Sequence, residues 1–212
     1  MLAAVVGVVV RGTASADDVA RCERHQDAAA ARARLVTGSG ARTVVIGDSW
    51  SVGFRLDRPA AAWPARLPGR ISVDGFSGSG FSATASPCPG VSFAERASRA
   101  VAGGAELVIV EGGLNDYDQP ERSVRDGFAA LMSRLSPYVA DRAVVVVGPP
   151  PAPARSRGAQ RVDRWLGQLC EEYGVAYVSS AGLDLEYLPD RLHLTAAGHR
   201  AFGDWVADQL PR

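Results

Sequence analysis

From Arg42 onward, short apolar runs alternate with stretches whose apolar residues recur at helical spacing. The runs at 43–46, 71–73, 107–110, 143–147 and 175–178 are too short for helices and apolar on both faces, which predicts five buried strands. Between and after them, Val124, Phe128, Leu131 and Leu135 fall on one helical face, as do Val162, Trp165, Leu166, Leu169 and Tyr173. Ala201, Phe202, Trp205 and Val206 do the same in a last helix that begins near Thr195. Strands that are apolar on both sides need cover on both sides. The alternation therefore predicts an α/β fold, with a five-stranded parallel sheet between two helical layers.

The first forty residues read differently. Residues 17–36 are rich in alanine and arginine, a composition of high helix propensity, and Thr37-Gly38-Ser39-Gly40 then breaks the pattern. Residues 17–41 are expected to form an N-terminal helix and linker outside the main fold, and 42–212 the globular domain. Residues 1–10 are almost wholly apolar, too few to span a bilayer, and Ala14-Ser15-Ala16 has the small-x-small form of a signal-peptidase site. Residues 1–16 are thus a candidate signal peptide or truncated leader, although the nearby basic residue, Arg11, follows the apolar run where a signal peptide would have it precede. The expected location is secreted or cell-envelope, with the cytoplasm as the alternative.

Length and charge narrow the function classes. A chain of 212 residues, 47% of them hydrophobic, can bury one sizeable core. Basic and acidic residues balance at 23 each, so no overall basic field exists to hold nucleic acid by its phosphates. All the basic residues are arginine. The three cysteines, Cys22, Cys88 and Cys170, leave at least one unpaired in a monomer. Cys170 shares an apolar face with Leu166 and Leu169 and reads as a buried thiol; in an exported protein Cys22 and Cys88 could bridge the first helix to the Pro87-Cys88-Pro89-Gly90 loop.

Four loops that follow strands carry complementary polar groups: Gly47-Asp48-Ser49, then Gly75-Phe76-Ser77-Gly78-Ser79-Gly80, then Gly112-Gly113-Leu114-Asn115-Asp116, and last Asp190-Arg191-Leu192-His193. In a parallel sheet all would lie at one edge. A serine hydroxyl becomes a useful nucleophile when a base takes its proton, and histidine suits that role near neutral pH. Ser49 and His193 are the candidates. A carboxylate on the other ring nitrogen fixes the tautomer and stabilises the positive charge, and Asp190 is close enough in sequence to do so. An oxyanion needs preorganised donors, which the glycine turn at Gly78 and the Asn115 amide can supply. Singly, each feature is also ordinary turn or capping chemistry. His199, within the last helix, and His25 read as non-catalytic.

Taken in order, these blocks resemble those of the SGNH hydrolases, the GDSL esterase and lipase family, over about residues 42 to 210. The resemblance implies a three-layer α/β/α fold with a flavodoxin-like sheet order, ester or thioester hydrolysis through an acyl-serine, and no metal or cofactor. It also implies a catalytic set of Ser49, Asp190 and His193 and an oxyanion hole of Ser49, Gly78 and Asn115. Trp50 stands where the family name has leucine, and Asp74 where many members have asparagine; Gly80 competes with Gly78 for the second block. The expected substrate is a small-molecule or carbohydrate ester with a short acyl group such as acetyl, because neither loop around Ser49 offers long apolar surface, and the protein is expected to be a monomer. Trp50 and Phe81 either line a short acyl pocket or pack beneath the loop. The alternatives are an acyltransferase, a lipase or thioesterase, and a non-catalytic flavodoxin-like binding protein; Asp48 beside the first turn disfavours a phosphate ligand there.

Overall fold

A computed structural model describes residues 15–140 and 143–210. The candidate signal peptide lies almost entirely outside the described residues. Five strands, β1 (Arg42–Gly47), β2 (Arg70–Gly75), β3 (Leu107–Glu111), β4 (Val144–Val147) and β5 (Ala176–Val178), form one sheet in the order β2-β1-β3-β4-β5. Every pairing is parallel. Helices α1 (Ala16–Ala33), α2 (Ser49–Val52), α3 (Phe93–Val101), α4 (Glu121–Leu135), α5 (Ser156–Tyr173) and α6 (Ala196–Gln209) connect and cover it.

Successive strand residues point to opposite faces, and the two cores follow that alternation. Val44, Ile46, Val108, Val110, Val144 and Val146 pack with α3, α4 and α5, whereas Val45, Ile109, Val145 and Val147 pack with Trp50, Trp63 and α6. The expected three layers are therefore present. β1 lies between β2 and β3, so the chain leaves β1 toward one side of the sheet and returns to the other. The carboxyl ends of β1 and β3 are thus the switch point of the sheet, where open α/β sheets bind their ligands. The loops carrying Ser49 and Asn115 leave from those two ends.

Two features depart from expectation. Helix α3 has no counterpart in the predicted elements, although Phe93, Ala97 and Val101 recur every fourth residue on its buried side. The fully buried Arg96 on the same helix interrupts the apolar pattern. The N-terminal helix also is not outside the main fold. Ala29 packs with Phe76 and Val91, Thr37 forms an antiparallel bridge with Ile71, and a disulfide joins Cys22 to Cys88. Short alanine side chains let the helix lie close to the domain, and the disulfide fixes it there. Cys170 is a buried free thiol whose pKa burial pushes up to about 12. Among the described residues, no helix is long and apolar enough to cross a membrane.

Candidate active site

Ser49 owes its position to the way β1 ends. Asp48 caps α2 by accepting the Trp50 N–H at 2.9 Å, and Gly53, at φ 80°, closes this single turn in the left-handed region. Ser49 is thus the first residue of a helix that starts directly above the sheet edge. Gly47 is required by close approach, because a Cβ there would overlap the Ser51 side chain.

The partner comes from the long loop between β5 and α6. The Asp190 carboxylate accepts the backbone N–H groups of Leu192 and His193, both at 3.0 Å, and so folds its own turn. That turn brings His193 Nδ1 to 2.8 Å from Asp190 Oδ2. With its proton on Nδ1, the imidazole presents a bare Nε2 to the Ser49 hydroxyl, 3.2 Å away. The structure therefore brings Ser49, His193 and Asp190 into one hydrogen-bonded row. Burial alone would raise the Asp190 pKa, but the hydrogen bonds from His193 and Leu192 outweigh it and hold the carboxyl down at about 2. His193 has its pKa lowered, by burial first; Asp190 opposes the shift, and the charges of Arg55 and Arg155 add to it. The ring is neutral at pH 7, as a proton acceptor must be.

Gly78 is the third residue of a turn closed by the Ser79 N–H on the Phe76 carbonyl at 3.1 Å, with φ 87°. Only glycine adopts that conformation without strain. The N–H groups of Gly78 and Ser49 meet no acceptor among the described residues. Gly80 is glycine for want of space, since a Cβ there would run into the Asp116 carboxylate. The Asn115 Nδ2 donates to Asp48 Oδ2 at 3.0 Å and to the Ser79 carbonyl at 2.8 Å. Its two protons are therefore engaged, and its Oδ1 accepts from Arg155 Nη1 at 2.7 Å. Asn115 ties the first and second loops together in the free protein.

Beneath this row lies a set of buried groups that sequence reasoning did not assign. Asp116 accepts the N–H groups of Phe81 (3.0 Å) and Ser82 (2.8 Å), and burial pushes its pKa up to about 7. Arg96 donates to the Gly47 carbonyl (2.9 Å), Ser79 Oγ (3.0 Å) and the Val91 carbonyl (2.9 Å), and pairs with Asp74. It thereby joins the ends of β1 and β2 to the Gly78 loop. Glu111 accepts from Ser51 Oγ at 2.6 Å, and burial together with the nearby Asp48 raises its pKa. Trp50 and Phe81 are fully buried, the first against Phe202 and the second against Phe93 and Phe128. Both pack beneath the loops. The aromatic ring at the site is instead Phe54, 4.9 Å from the His193 ring between centroids. His199 accepts the Trp63 N–H at 3.3 Å, and burial holds its pKa down at about 4.

Arg55 and Arg155 also escaped the sequence reading. Arg55, in the left-handed region at φ 67°, places Nη1 3.1 Å from Asp190. Arg155 lies over the Tyr117 ring, 4.5 Å from its centroid. The only sequence signal for either is its place within a few residues of a strand-end loop. Among the described residues, no group of three His, Cys, Asp or Glu side chains could hold a metal ion.

Residues 45–201 match the GDSL-like Lipase/Acylhydrolase family. The chain belongs to that family. It is a hydrolase of the SGNH type, and its sheet order and three layers agree with that fold. The M. smegmatis aryl esterase is similar in structure at 20% identity and a TM-score of 0.67, covering 80% of this chain and 98% of that one. A carbohydrate acetylesterase from Sinorhizobium meliloti is similar at 19% identity and a TM-score of 0.64, with 80% and 98% covered. No curated protein matches the sequence significantly.

Proposed function

We propose that this GDSL-family hydrolase is a serine esterase that removes short acyl groups, acetyl foremost, from carbohydrate or small-molecule alcohols. The observation that carries the reading is the row formed by the Ser49 hydroxyl, His193 Nε2 at 3.2 Å and Asp190 beyond the ring at 2.8 Å. As Ser49 Oγ attacks the ester carbonyl, its proton passes to Nε2, and ionised Asp190 stabilises the imidazolium through Nδ1–H. The carbonyl oxygen becomes an oxyanion. The N–H groups of Ser49 and Gly78 donate to it directly, and the Asn115 amide joins them by giving up its bond to Asp48. Collapse of the intermediate expels the alcohol, which takes the proton from Nε2. Water, deprotonated by the same nitrogen, then attacks the acyl-Ser49 ester and frees the acid.

The small-acyl reading is supported by the glycine and serine content of the loop at 75–80 and by the full burial of Trp50 and Phe81. With Phe54 as the aromatic ring at His193, little apolar surface remains to bury a fatty chain, where each methylene would contribute about 0.8 kcal/mol. The structural likeness to a carbohydrate acetylesterase agrees with this size class. One experiment tests both parts: kcat/KM for p-nitrophenyl esters from acetate to palmitate, in the native protein and in Ser49→Ala. Activity should be highest with the shortest chains and fall on the order of 10⁴-fold or more in Ser49→Ala. A steady rise toward palmitate would make the protein a lipase, and native turnover in Ser49→Ala would remove the serine mechanism. We also place the protein outside the cytoplasm, a reading supported by the Cys22–Cys88 disulfide, since such bonds persist in oxidising compartments.

A further inference from the structure

The chain as a whole is neutral, so an uneven local distribution of its charges carries information. Two cavities lie beside the loops of the catalytic site, neither lined by Ser49 or His193 itself, and arginine dominates both. The first, about 490 Å³, is lined by Arg55, Arg58, Arg66 and Arg200 with a single carboxylate, Asp57. It adjoins the catalytic row through Arg55, 3.1 Å from Asp190, and through Leu188, whose N–H donates to the His193 carbonyl at 2.7 Å. The second, about 400 Å³, is lined by Arg155, Arg157 and Arg161 with a single carboxylate, Asp118. The Ala154 N–H in its wall donates to the Arg191 carbonyl at 3.0 Å, inside the Asp190 turn.

Internal pairing removes part of this charge. Arg55 faces Asp190, and Arg66 pairs with Asp204 at 2.6 Å. Arg155 and Arg161 donate to neutral oxygens of Leu114, Asn115 and Tyr117 and keep their positive charge. Arg58, Arg157 and Arg200 meet neither a carboxylate nor another hydrogen-bond acceptor among the described residues. Each cavity thus presents guanidinium donors in excess of its one acid. Arg55 and Arg155, one from each side, are both near enough to disfavour protonation of His193.

The chemistry of the site orients a substrate. The departing oxygen must reach His193 Nε2 to take its proton, so the alcohol part of the ester lies on the His193 side, and an extended saccharide there can reach the arginines beside Asp190 and Asn115. We propose that these cavities bind carboxylate groups on the alcohol part, and that the preferred substrate is a short acyl ester of an acidic saccharide. Guanidinium groups suit this role because their fixed fork matches a carboxylate with two parallel hydrogen bonds. The inference rests on the esterase reading of Ser49.

The test compares acetate release from a monoacetylated methyl glucuronoside and from the corresponding methyl glucoside, which share acyl group and ring and differ by one carboxylate. At low salt the native protein should favour the acidic sugar in kcat/KM by about tenfold or more, with the ratio falling toward one at high salt as the pairing is screened. In the triple variant Arg58→Gln/Arg157→Gln/Arg200→Gln, all exposed positions, the ratio should approach one even at low salt. Equal rates for the two sugars, or a preference that neither salt nor the triple substitution changes, would overturn the proposal. Hydrolysis of p-nitrophenyl acetate is followed in parallel: its absence strikes the esterase reading itself, whereas its presence with a ratio of one strikes only the charge selectivity.

Discussion

Asp190 holds His193 through three hydrogen bonds made within four residues, and that locality is why both were legible in the sequence. An Asp-x-x-His turn encodes its own geometry, and a serine after a glycine-flanked strand end encodes its place at the carboxyl edge of the sheet. Gly78 was legible for a similar reason, since its turn demands a positive φ. Phe54, Arg55 and Arg155 were not, because what places them is the meeting of loops distant in sequence, and nothing periodic marks such residues. The same residues set the pH response. In the proposed mechanism His193 must be neutral to accept the Ser49 proton, and burial with two neighbouring arginines lowers its pKa below the ordinary 6.5. The acid limb of kcat/KM should therefore have its midpoint below pH 6.5, activity rising as pH rises through it. A midpoint clearly above 6.5 in a pH–rate profile would contradict this account of the imidazole's surroundings.

The strands were read within one or two residues because doubly apolar runs are required wherever both faces are covered. Helix α3 escaped because Arg96 occupies its buried side, where a charged residue is expected only if it is paired, and its partners Asp74, Gly47 and Ser79 come from elsewhere in the chain. Asp116 escaped in the same way: Asn-Asp after a strand reads as a turn, whereas its carboxylate is the acceptor that fixes the second loop. Asp116→Ala would leave the Phe81 and Ser82 N–H groups buried without partners, at about 1–3 kcal/mol for each. Urea unfolding of Asp116→Ala should show a loss of roughly 2 kcal/mol or more, with Asp116→Asn, which keeps one acceptor, losing less. An unchanged midpoint in Asp116→Ala would show that the loop is held by other contacts. The raised pKa of this group adds a pH dependence of known sign. Its contribution to stability is full below the unfolded value of 3.8 and is lost as pH rises through about 7, opposite to Asp190, whose contribution is lost as pH falls through about 2.

The neutral chain is organised as a buried parallel sheet with its polar chemistry gathered at one edge, and the N-terminal helix is clasped to it by a disulfide spanning 66 residues. Closing a loop of that length in the unfolded chain corresponds to about 4 kcal/mol of stabilisation on the chain-entropy account. Reduction, or the double substitution Cys22→Ser/Cys88→Ser, should lower Tm by many degrees, while thiol titration of the unreduced protein in denaturant should find Cys170 alone. Three titratable thiols, or an unmoved Tm, would mean that the helix is held by packing only. How the protein works, however, turns on one atom. The direct measurement is treatment with a fluorophosphonate followed by peptide mass spectrometry, in the native protein and in His193→Ala. The account predicts one phosphonyl adduct per chain, located on Ser49, formed rapidly in the native protein and slowed by orders of magnitude without the imidazole. An active preparation that takes no adduct, or takes it at another residue, would contradict the assignment of Ser49 as the nucleophile.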